Sequence, residues 1–464
     1  MKLAVGKVTW ETGSIPALDP GFKPLAGFFR AYAASAQGGI PVKIAVEREG
    51  GQVGVFTTRI HGTEAMREAD RVYVERAVKT LLWAWGGWRV IIGGSPEMAA
   101  YIKDAYRVGG AREFDAAFMA KIYEKPFTVD GMAYDAVPAP KSLPKSIGRH
   151  MDGCRIGFDA GGSDRKVSAV VNGEAIWSEE VVWHPKLNTD PDYHYNGILE
   201  AFRSAAAKMP RVDAIGVSSA GVYVANRTMA ASLFIKVPEA DFNAKVKDIY
   251  IRAAKAVGDV PLEVANDGDV TALAGAMELN DTNVLGIAMG TSQAGGFVDG
   301  DGNITGWLNE LAFVPLDVNP QAMQDEWSGD IGCGVKYFSQ DGVIKLAPAA
   351  GIELDASATP AEKLKVVQKL MEAGDARARA IYESIGCYLG HALAYYMEFY
   401  DMRHVLLMGR VMSGEGGSII LEEARRVLQS EYPECAAKLK LHLPDEASRR
   451  VGQSVAAASL PEIR

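Results

Sequence analysis

The apolar positions of this chain form short strand-like runs and longer runs of helical spacing. Short apolar runs bounded by turn residues predict strands at residues 42–46, 53–58, 88–92, 155–158, 166–171, 212–217, 283–289 and 404–408. Apolar residues that recur near helical period predict helices at residues 69–85, 96–106, 195–209, 270–277, 361–371 and 376–400. Strands and helices interleaved in this way predict the α/β fold class.

A proline-rich stretch divides the chain. Three prolines run through the polar residues 137–145, and such a segment resists both a helix and a central strand. Before this stretch, a Glu-Gly-Gly-Gln turn at residues 49–52 joins two strands into a predicted hairpin. We therefore expect residues 1–145 to form an α/β module of their own.

Composition excludes several classes of protein. A chain of 464 residues with 48% hydrophobic content can bury large cores, and its net charge of -9 gives no electrostatic case for binding nucleic acid or an anionic membrane. The four cysteines are scattered without metal-ligand spacing, which favours a reduced, cytoplasmic protein. No apolar run has signal-peptide character, and none approaches the ~18 residues that span a bilayer.

Two glycine-rich turns flank an Asn-Asp pair. Asn266 and Asp267 follow a strand-like run and precede a helix-like run, while the turns fall at residues 158–164 and 289–296. Each turn joins two predicted strands, which suggests an internally duplicated fold. A carboxylate at a strand end, near loops that can approach phosphates, is what an enzyme needs to deprotonate a hydroxyl beside a nucleotide. The pattern favours phosphoryl transfer to an alcohol.

Four motifs in order resemble the sugar kinases of the ROK family, within the actin, Hsp70 and hexokinase superfamily. They are Asp-Ala-Gly-Gly-Ser at residues 159–163, Asn-Asp-Gly-Asp at 266–269, Gly-Thr-Ser-Gln-Ala-Gly-Gly at 290–296 and the glycine-rich segment 409–417. The resemblance covers about residues 153–460. It implies a two-lobed hexokinase-like ATPase fold of duplicated mixed-sheet domains flanked by helices. The lobes are expected at residues 151–268, joined by a C-terminal helix at 450–464, and at residues 269–449.

The resemblance implies roles for the residues of these motifs. Asp267 would be the general base, Asn266 a sugar contact and Asp159 the ligand of Mg²⁺. The residues implied in binding ATP and its phosphates are Gly161, Gly162, Ser163, Gly290, Thr291, Ser292, Gly409 and Ser413. Lys166 or Arg165 is a further candidate charge near the phosphates, and the alternative for these two is a solvated hairpin. Gly221, in a small-residue turn, either lies near the sugar or merely ends the strand before it.

The sugar-recognition motifs depart from the family pattern. Asn309, Glu310 and Phe313 align with a Gly-Glu-Ile-Gly-His segment, so that Glu310 is kept and the histidine is replaced by Phe313. Of the family's zinc cysteines only Cys333 remains, and zinc is not expected. Val335 stands where another sugar-binding glutamate is usual. We expect Asn309, Glu310 and Phe313 to line the sugar site, and the substrate to be a hexose or derivative other than plain glucose, or glucose bound by different partners.

Three function classes compete. The favoured one is an ATP-dependent kinase of a sugar hydroxyl, acting as a homodimer on a small-molecule sugar and a nucleotide. A sugar-sensing regulator would need a helix-turn-helix, whereas the N-terminal residues predict a hairpin, a Trp-rich helix and a strand. A sugar-binding pseudokinase is favoured by Phe313 and Val335, but is opposed by Asp159, Asp267 and both glycine turns.

Several conspicuous residues have a structural interpretation that is simpler than a functional one. His391 is expected to be a satisfied core histidine, and the tryptophans Trp83, Trp85 and Trp88 are expected to form a core or an interface. The polar and aromatic loop at residues 183–196 either lines the substrate site or is a surface loop that ends in a helix cap.

Overall fold

A computed structural model describes residues 1–142, 146–444 and 446–463. Residues 143–145 of the predicted linker and residue 464 of the predicted C-terminal helix lie outside the described residues. The strands are β1 Lys2–Val5, β2 Val8–Glu11, β3 Ile40–Glu47, β4 Val53–Ile60, β5 Arg89–Gly93, β6 Thr128–Met132, β7 Cys154–Ala160, β8 Asp164–Val171, β9 Glu174–Val182, β10 Ala214–Ser219, β11 Val222–Val224, β12 Arg227–Ala230, β13 Leu262–Asn266, β14 Val284–Met289, β15 Gln293–Val298, β16 His404–Met408 and β17 Lys440–His442.

The helices alternate with these strands. They are α1 Leu25–Ser35, α2 Arg67–Ala84, α3 Pro96–Ala105, α4 Glu113–Tyr123, α5 Pro191–Ala206, α6 Glu239–Asp241, α7 Ile249–Lys255, α8 Asp267–Leu279, α9 Gln340–Leu346, α10 Pro360–Glu372, α11 Ala376–Tyr396, α12 Glu415–Glu431, α13 Pro433–Ala436 and α14 Glu446–Ala458. The α/β class is confirmed. Among the described residues, no helix is both long and apolar enough to cross a bilayer.

The chain divides into two compact units. The first contains Met1–Leu143, Ile287–Gly295 and Leu308–Leu443, and the second contains Pro144–Gly286, Gly296–Trp307 and Pro444–Arg464. The N-terminal residues therefore share a compact unit with helices α9 to α13, whereas the sequence motifs divide the chain into three. The division into an N-terminal module at residues 1–145 and two lobes stays a prediction.

In the first unit, the predicted N-terminal hairpin forms part of a four-stranded sheet. Its order is β4-β3-β5-β6, with β3 antiparallel to β4 and β5 and with β5 parallel to β6. A further four-stranded sheet, of order β15-β14-β16-β17, includes residues 287–289, 293–295, 404–408 and 440–442 of this unit. Helix α2 is buried along most of its length, and this includes its charged residues Glu75, Arg76 and Lys79. Helix periodicity predicts the helix but not the burial of these charges, because a charged side chain is buried only when partners elsewhere in the chain compensate it.

The second unit is built on a five-stranded mixed sheet of order β13-β10-β7-β8-β9. Strand β10 is parallel to both β7 and β13, and β7, β8 and β9 are antiparallel to each other in turn. The Asn172-Gly173 turn has positive φ at both residues, as the two-residue hairpin between β8 and β9 requires. Apolar residues of the sheet pack with those of α5 and α7, including Ile156, Phe202 and Tyr250.

Helix α14 packs directly on the backbone of this sheet. Gly157 and Gly216 are partners in adjacent strands, and a Cβ added to them would lie 1.8 Å from the carbonyl oxygen of Ser454 and 1.7 Å from that of Ala457. The buried guanidinium of Arg155 donates to the carbonyl oxygen of Pro461 at 2.6 Å. The missing side chains let the last helix approach the sheet, and the chain after it is anchored by an arginine.

We expect Gly216→Ala to destabilise the protein by about 1–3 kcal/mol, because a new methyl group would overlap backbone that cannot rotate away. Chemical unfolding with circular dichroism measures this difference. Gly258→Ala is the matched control, since the nearest atom to its added Cβ is at 3.6 Å. Equal stability of the two variants would contradict the close packing of α14.

Candidate active site

The carboxyl ends of three parallel strands bring the Asn-Asp pair beside the first glycine turn. In the register of β7, β10 and β13, Ser218 pairs with Asp159 on one side, and Ser219 pairs with Asn266 on the other. Because the carboxyl ends of parallel strands meet at one edge, the ends of β7 and β13 carry their polar side chains to the same place. The order of motifs along the sequence does not show this adjacency.

Asn266 and Asp267 form the start of helix α8. Asn266 Oδ1 accepts a hydrogen bond from the Gly268 amide at 2.7 Å, and its Nδ2 donates to the carbonyl oxygen of Gly221 at 2.7 Å. Asp267 Oδ1 accepts from the same Gly268 amide at 3.0 Å. The Asn266 amide is thus held in one orientation and retains a second hydrogen and a second lone pair for a ligand. The structure also places the predicted sugar-side Gly221 against Asn266.

Asp267 is close enough to Asp159 to influence its ionisation. Burial raises the pKa of Asp159 to about 6 and the charge of Asp267 adds to the shift, although the Ser218 hydroxyl, 2.9 Å away, donates to its carboxylate and opposes it. Burial also raises the pKa of Asp267. Two carboxylates that share a poorly solvated site favour a cation between or beside them.

The first glycine turn carries a lysine that the motifs do not identify. The side-chain nitrogen of Lys186 lies 3.3 Å from the position a Cβ would take on Gly162, and its charge acts on Asp267. The turn is held by Trp183, whose indole nitrogen donates to the carbonyl oxygen of Gly161 at 2.8 Å and whose amide donates to that of Ser163 at 3.1 Å. Lys186 belongs to the loop 183–196, whose polar composition was the available signal.

The two charged candidates next to the turn differ. Lys166 forms an ion pair with Asp164 at 3.3 Å and influences Asp159 electrostatically. Arg165 instead donates to the carbonyl oxygen of Gly197 and pairs with Glu200 at 2.6 Å. The expectation that Arg165 adds charge near the phosphates is therefore wrong, because its side chain points to helix α5.

In the first unit, the second glycine turn meets the glycine-rich segment. The Gly290 amide donates to the carbonyl oxygen of Ser292 at 2.9 Å, and Gln340 Nε2 donates to Thr291 Oγ1 at 3.1 Å. Gly409 has a φ of 99°, and a Cβ there would lie 2.4 Å from the carbonyl oxygen of Met289. The ends of β14 and β16 thus bring Gly290 and Gly409 together.

Ser413 lies just before helix α12. It is exposed, and Gly414 follows it as the residue before the first helical position, Glu415. The first backbone amides of a helix have no partner within the helix and can bind an anionic or polar ligand. A role of residues 409–417 in binding a nucleotide stays a prediction.

Gly296, the final glycine of the second glycine turn, belongs to the second unit and contacts helix α8. A Cβ on Gly296 would lie 2.1 Å from the carbonyl oxygen of Gly268, and the amide of Phe297 donates to Asp269 Oδ1 at 3.1 Å. The absence of a side chain at Gly296 lets strand β15 approach the helix turn that carries Asp267.

The predicted sugar segment is held in the first unit. The Asn309 amide donates to the carbonyl oxygen of Ala84 at 2.9 Å, and its side-chain oxygen accepts from the Tyr400 hydroxyl at 2.9 Å. The Glu310 amide donates to the carbonyl oxygen of Trp83 at 2.9 Å. Phe313 packs against the rings of Trp83 and Trp327, at centroid distances of 4.4 and 4.9 Å. A contact between Phe313 and a sugar stays a prediction.

An ion cluster occupies the segment that aligns with the zinc motif. Asp330 Oδ2 accepts from Arg76 at 3.0 Å and pairs with Lys79 at 2.9 Å, and Cys333 Sγ is 3.7 Å from the same oxygen. Burial raises the pKa of Cys333 to about 12, which keeps it a thiol. Among the described residues, no group of three or more His, Cys, Asp or Glu side chains is arranged to hold a metal ion.

Comparison with known proteins identifies one family. The ROK family profile matches residues 155–450. The ROK hexokinase from Thermus thermophilus is 20% identical, with a TM-score of 0.49 over 66% of this chain and 97% of that chain. A ROK glucokinase from Streptomyces griseus, solved with glucose and AMPPNP, is 19% identical, with a TM-score of 0.45 over 66% and 98%.

A regulator also appears among the similar structures. A ROK transcriptional regulator described as a homolog of the E. coli MLC protein is 18% identical, with a TM-score of 0.49 over 67% of this chain and 79% of that chain. A comparison with curated proteins found no match.

We expect Asp267→Asn to raise the melting temperature at pH 7.5 by about 2–4 °C. Folding raises the pKa of this carboxyl. The neutral carboxylic acid therefore stabilises the folded state fully below the unfolded-state pKa of about 3.9, and this contribution is lost as the pH rises through the higher folded-state pKa. At pH 7.5 the ionised carboxylate destabilises the folded protein, and the neutral amide of the variant removes this cost. Differential scanning calorimetry should show the gain shrinking towards pH 4. The exposed Asp259→Asn is the control, and an equal gain there would contradict a local cause.

Proposed function

Because the chain belongs to the ROK family, which includes sugar kinases and regulators, we propose that it is a sugar kinase that transfers the γ-phosphoryl group of ATP to a sugar hydroxyl. The family carries the hexokinase-like ATPase fold. One observation carries the proposal beyond the family. The carboxylate of Asp267 lies at the start of α8, close enough to Asp159 to affect its ionisation. Lys186 lies against Gly162 of the first glycine turn, and its charge acts on Asp267.

Asp267 is proposed as the general base. It would accept the proton of the attacking sugar hydroxyl, and the upward shift of its pKa makes its carboxylate a stronger base than an exposed aspartate. Asn266 would orient the sugar through the amide hydrogen and lone pair that its bonds to Gly221 and Gly268 leave over. Alignment of the hydroxyl with the base is a large part of phosphoryl transfer, in which the protein mainly positions and stabilises charge.

Asp159 fits the role of a magnesium ligand. Mg²⁺ usually takes one or two carboxylates and keeps waters and substrate phosphates as its other ligands, so a three-residue cluster is not required. The raised pKa of Asp159 indicates a buried carboxylate short of positive charge. Ser218 fixes that carboxylate through its hydroxyl, which in turn accepts from Gln453 Nε2 at 3.1 Å. The ion would neutralise charge on the phosphates of ATP.

The glycine turns are proposed to bind the phosphates and nucleotide. Amides of Gly161, Gly162 and Ser163 would contact phosphate oxygens, and the ammonium of Lys186 would add the charge that Arg165 does not supply. In the first unit, the residues with corresponding roles are Gly290, Thr291, Ser292, Gly409 and Ser413. The buried and unpaired state of all four cysteines supports a reducing, cytoplasmic location. A homodimer stays a prediction.

The acceptor is proposed to be a hexose or derivative whose recognition differs from the family pattern. Asn309 and Glu310 remain as candidate sugar contacts, while Phe313 packs among aromatic rings and Val335 is buried. A sugar hydroxyl that is buried without the usual His and Glu partners would cost about 1–3 kcal/mol of binding free energy, because its hydrogen bonds to water are not replaced. The same two residues favour the second candidate function, a sugar-binding protein without turnover.

We expect Asp267→Asn to lower kcat for sugar phosphorylation by at least ~100-fold, because the amide cannot accept the hydroxyl proton. Coupled detection of ADP release across a panel of hexoses and hexose derivatives measures it. In the wild type, kcat/KM should rise with pH through a pKa above the ordinary aspartate value of about 3.9, since only the carboxylate is active. Undiminished turnover in the variant would exclude Asp267 as the base. Binding of a sugar without ADP release in the wild type would favour the second function.

Lys186→Met should lower kcat by about 10²–10³-fold, as expected when one preorganised charge at a developing phosphoryl group is removed. Lys186→Arg should recover part of the loss. Lys208, whose ammonium lies over the Trp177 ring in the same unit, supplies the control Lys208→Met. If both methionine variants keep full kcat, Lys186 does not act on the phosphates.

A further inference from the structure

The last carbonyl groups of helix α2 bind the predicted sugar segment. The carbonyl oxygen of Trp83 accepts from the Glu310 amide, and that of Ala84 accepts from the Asn309 amide, both at 2.9 Å. The final carbonyls of a helix have no partner within it. Here the partners come from residues more than 200 positions later in the chain. The N-terminal residues therefore help to set the backbone of the segment that carries Asn309 and Glu310.

The conformation of this segment is unusual and fixed. Asn309 has a φ of 51°, and the residue is 2% exposed. The Tyr400 hydroxyl donates to its side-chain oxygen at 2.9 Å. Strand β15 approaches from another side, where a Cβ on Gly295 would lie 2.6 Å from the carbonyl oxygen of Asn309. A left-handed asparagine persists when surrounding contacts hold it, and helix α2 provides one such contact to Asn309 and another to the adjacent Glu310.

Aromatic side chains also join helix α2 to the predicted sugar segment. The Trp83 ring is 4.4 Å from the Phe313 ring and 4.9 Å from that of Phe118 on α4. Phe313 is in turn 4.9 Å from Trp327. The indole nitrogen of Trp83 donates to Asp115 Oδ1 at 2.8 Å, which fixes the orientation of the ring. Phe313, the residue found in place of the usual histidine, is thus a packing partner of the N-terminal helix.

Buried ion pairs fix helix α2 against residues 325–333. Lys79 is fully buried, with its ammonium 3.3 Å from both Asp115 oxygens and 2.9 Å from Asp330. Arg76 and Arg112 also pair with Asp330, at 3.0 and 2.6 Å. Burial lowers the pKa of Lys79, but Asp115 and Asp330 outweigh it and the net shift is upward. Because an uncompensated buried charge is costly, these pairs specify one position of the helix.

We infer that helix α2 is a positioning element for sugar recognition, acting through Asn309 and Glu310, with Trp83 as its central residue. The inference rests on the proposed function. It assigns a role to the N-terminal residues, which precede the segment that matches the family profile. They position the segment proposed to contact the sugar instead of forming an independent module.

The test compares Trp83→Phe and Phe313→Leu with the control Phe127→Leu. Trp83→Phe keeps an aromatic ring but removes the indole donor, which limits the risk that the protein fails to fold. Phe127 stacks on Tyr106 at 5.5 Å in the same unit and forms no part of the cluster described above. Hydrogen exchange of the amides of Asn309 and Glu310 and the melting temperature are measured for each. KM is measured for the accepted sugar and for ATP.

Both test variants should speed exchange at Asn309 and Glu310 and raise the sugar KM by about 10-fold or more, since small misplacements at a reacting site can cost about 100-fold. The KM for ATP should stay within about two-fold. Phe127→Leu should change the melting temperature but neither the exchange rates nor the two KM values. A merely structural role would move the melting temperature without this selective effect on sugar.

Other outcomes overturn the inference in distinguishable ways. Unchanged exchange in both test variants shows that α2 does not hold the segment, whatever the activity. Faster exchange with an unchanged sugar KM shows that the segment does not shape recognition. If the wild type binds sugars without phosphorylating them, the kinase proposal fails, and calorimetric sugar Kd replaces KM with the same expected change. If it neither binds nor phosphorylates any sugar in the panel, both proposals fail.

Discussion

The loss of hydration at two carboxylates, which lie at or just after the carboxyl ends of β7 and β13 on either side of β10, is the constraint on which the candidate site depends. Asp159 and Asp267 each lose hydration on folding, and the charge of Asp267 makes ionisation of Asp159 harder. The fold offsets part of this cost with the Ser218 hydroxyl and with the amides at the start of α8. What remains is a demand for positive charge, which Lys186 meets in part and which a divalent ion with its phosphates would complete. The site is therefore arranged for ligands of mixed charge.

A similar constraint governs the N-terminal residues, but there the chain supplies all the charges. Two buried cations, Arg76 and Lys79, and the half-buried Arg112 pair with the buried carboxylates of Glu75, Asp115 and Asp330. In a poorly hydrated site such pairs contribute little net stability but penalise any other arrangement strongly. The result is a helix with one permitted position, whose last carbonyls hold the segment around Asn309. Specific placement, more than added stability, is what this cluster provides.

Much of the fold follows from the local pattern of the sequence. The predicted hairpin at residues 42–58 is confirmed by β3 and β4, the helix at 69–85 by α2, and the strand at 404–408 by β16. His391 is confirmed as a satisfied core histidine, since its ring nitrogens bond Tyr432 and the carbonyl oxygen of Ser14. Asn266 and Asp267 stand at the predicted junction of a strand and a helix. Boundaries and periodicity are local properties, so a single sequence specifies them well.

The sequence by itself determined the α/β class and the family, because the spacing of apolar residues and of glycine turns is a property of short stretches of chain; the chemistry of the motif residues stays a prediction. Only the tertiary structure decided that Lys186 lies over Gly162, that Arg165 turns to helix α5, and that Phe313 packs against Trp83. These are pairings between distant residues, and a charged or aromatic side chain looks the same in sequence whether it meets solvent or a partner. Burial and register select the partner, and both exist only once the chain has folded.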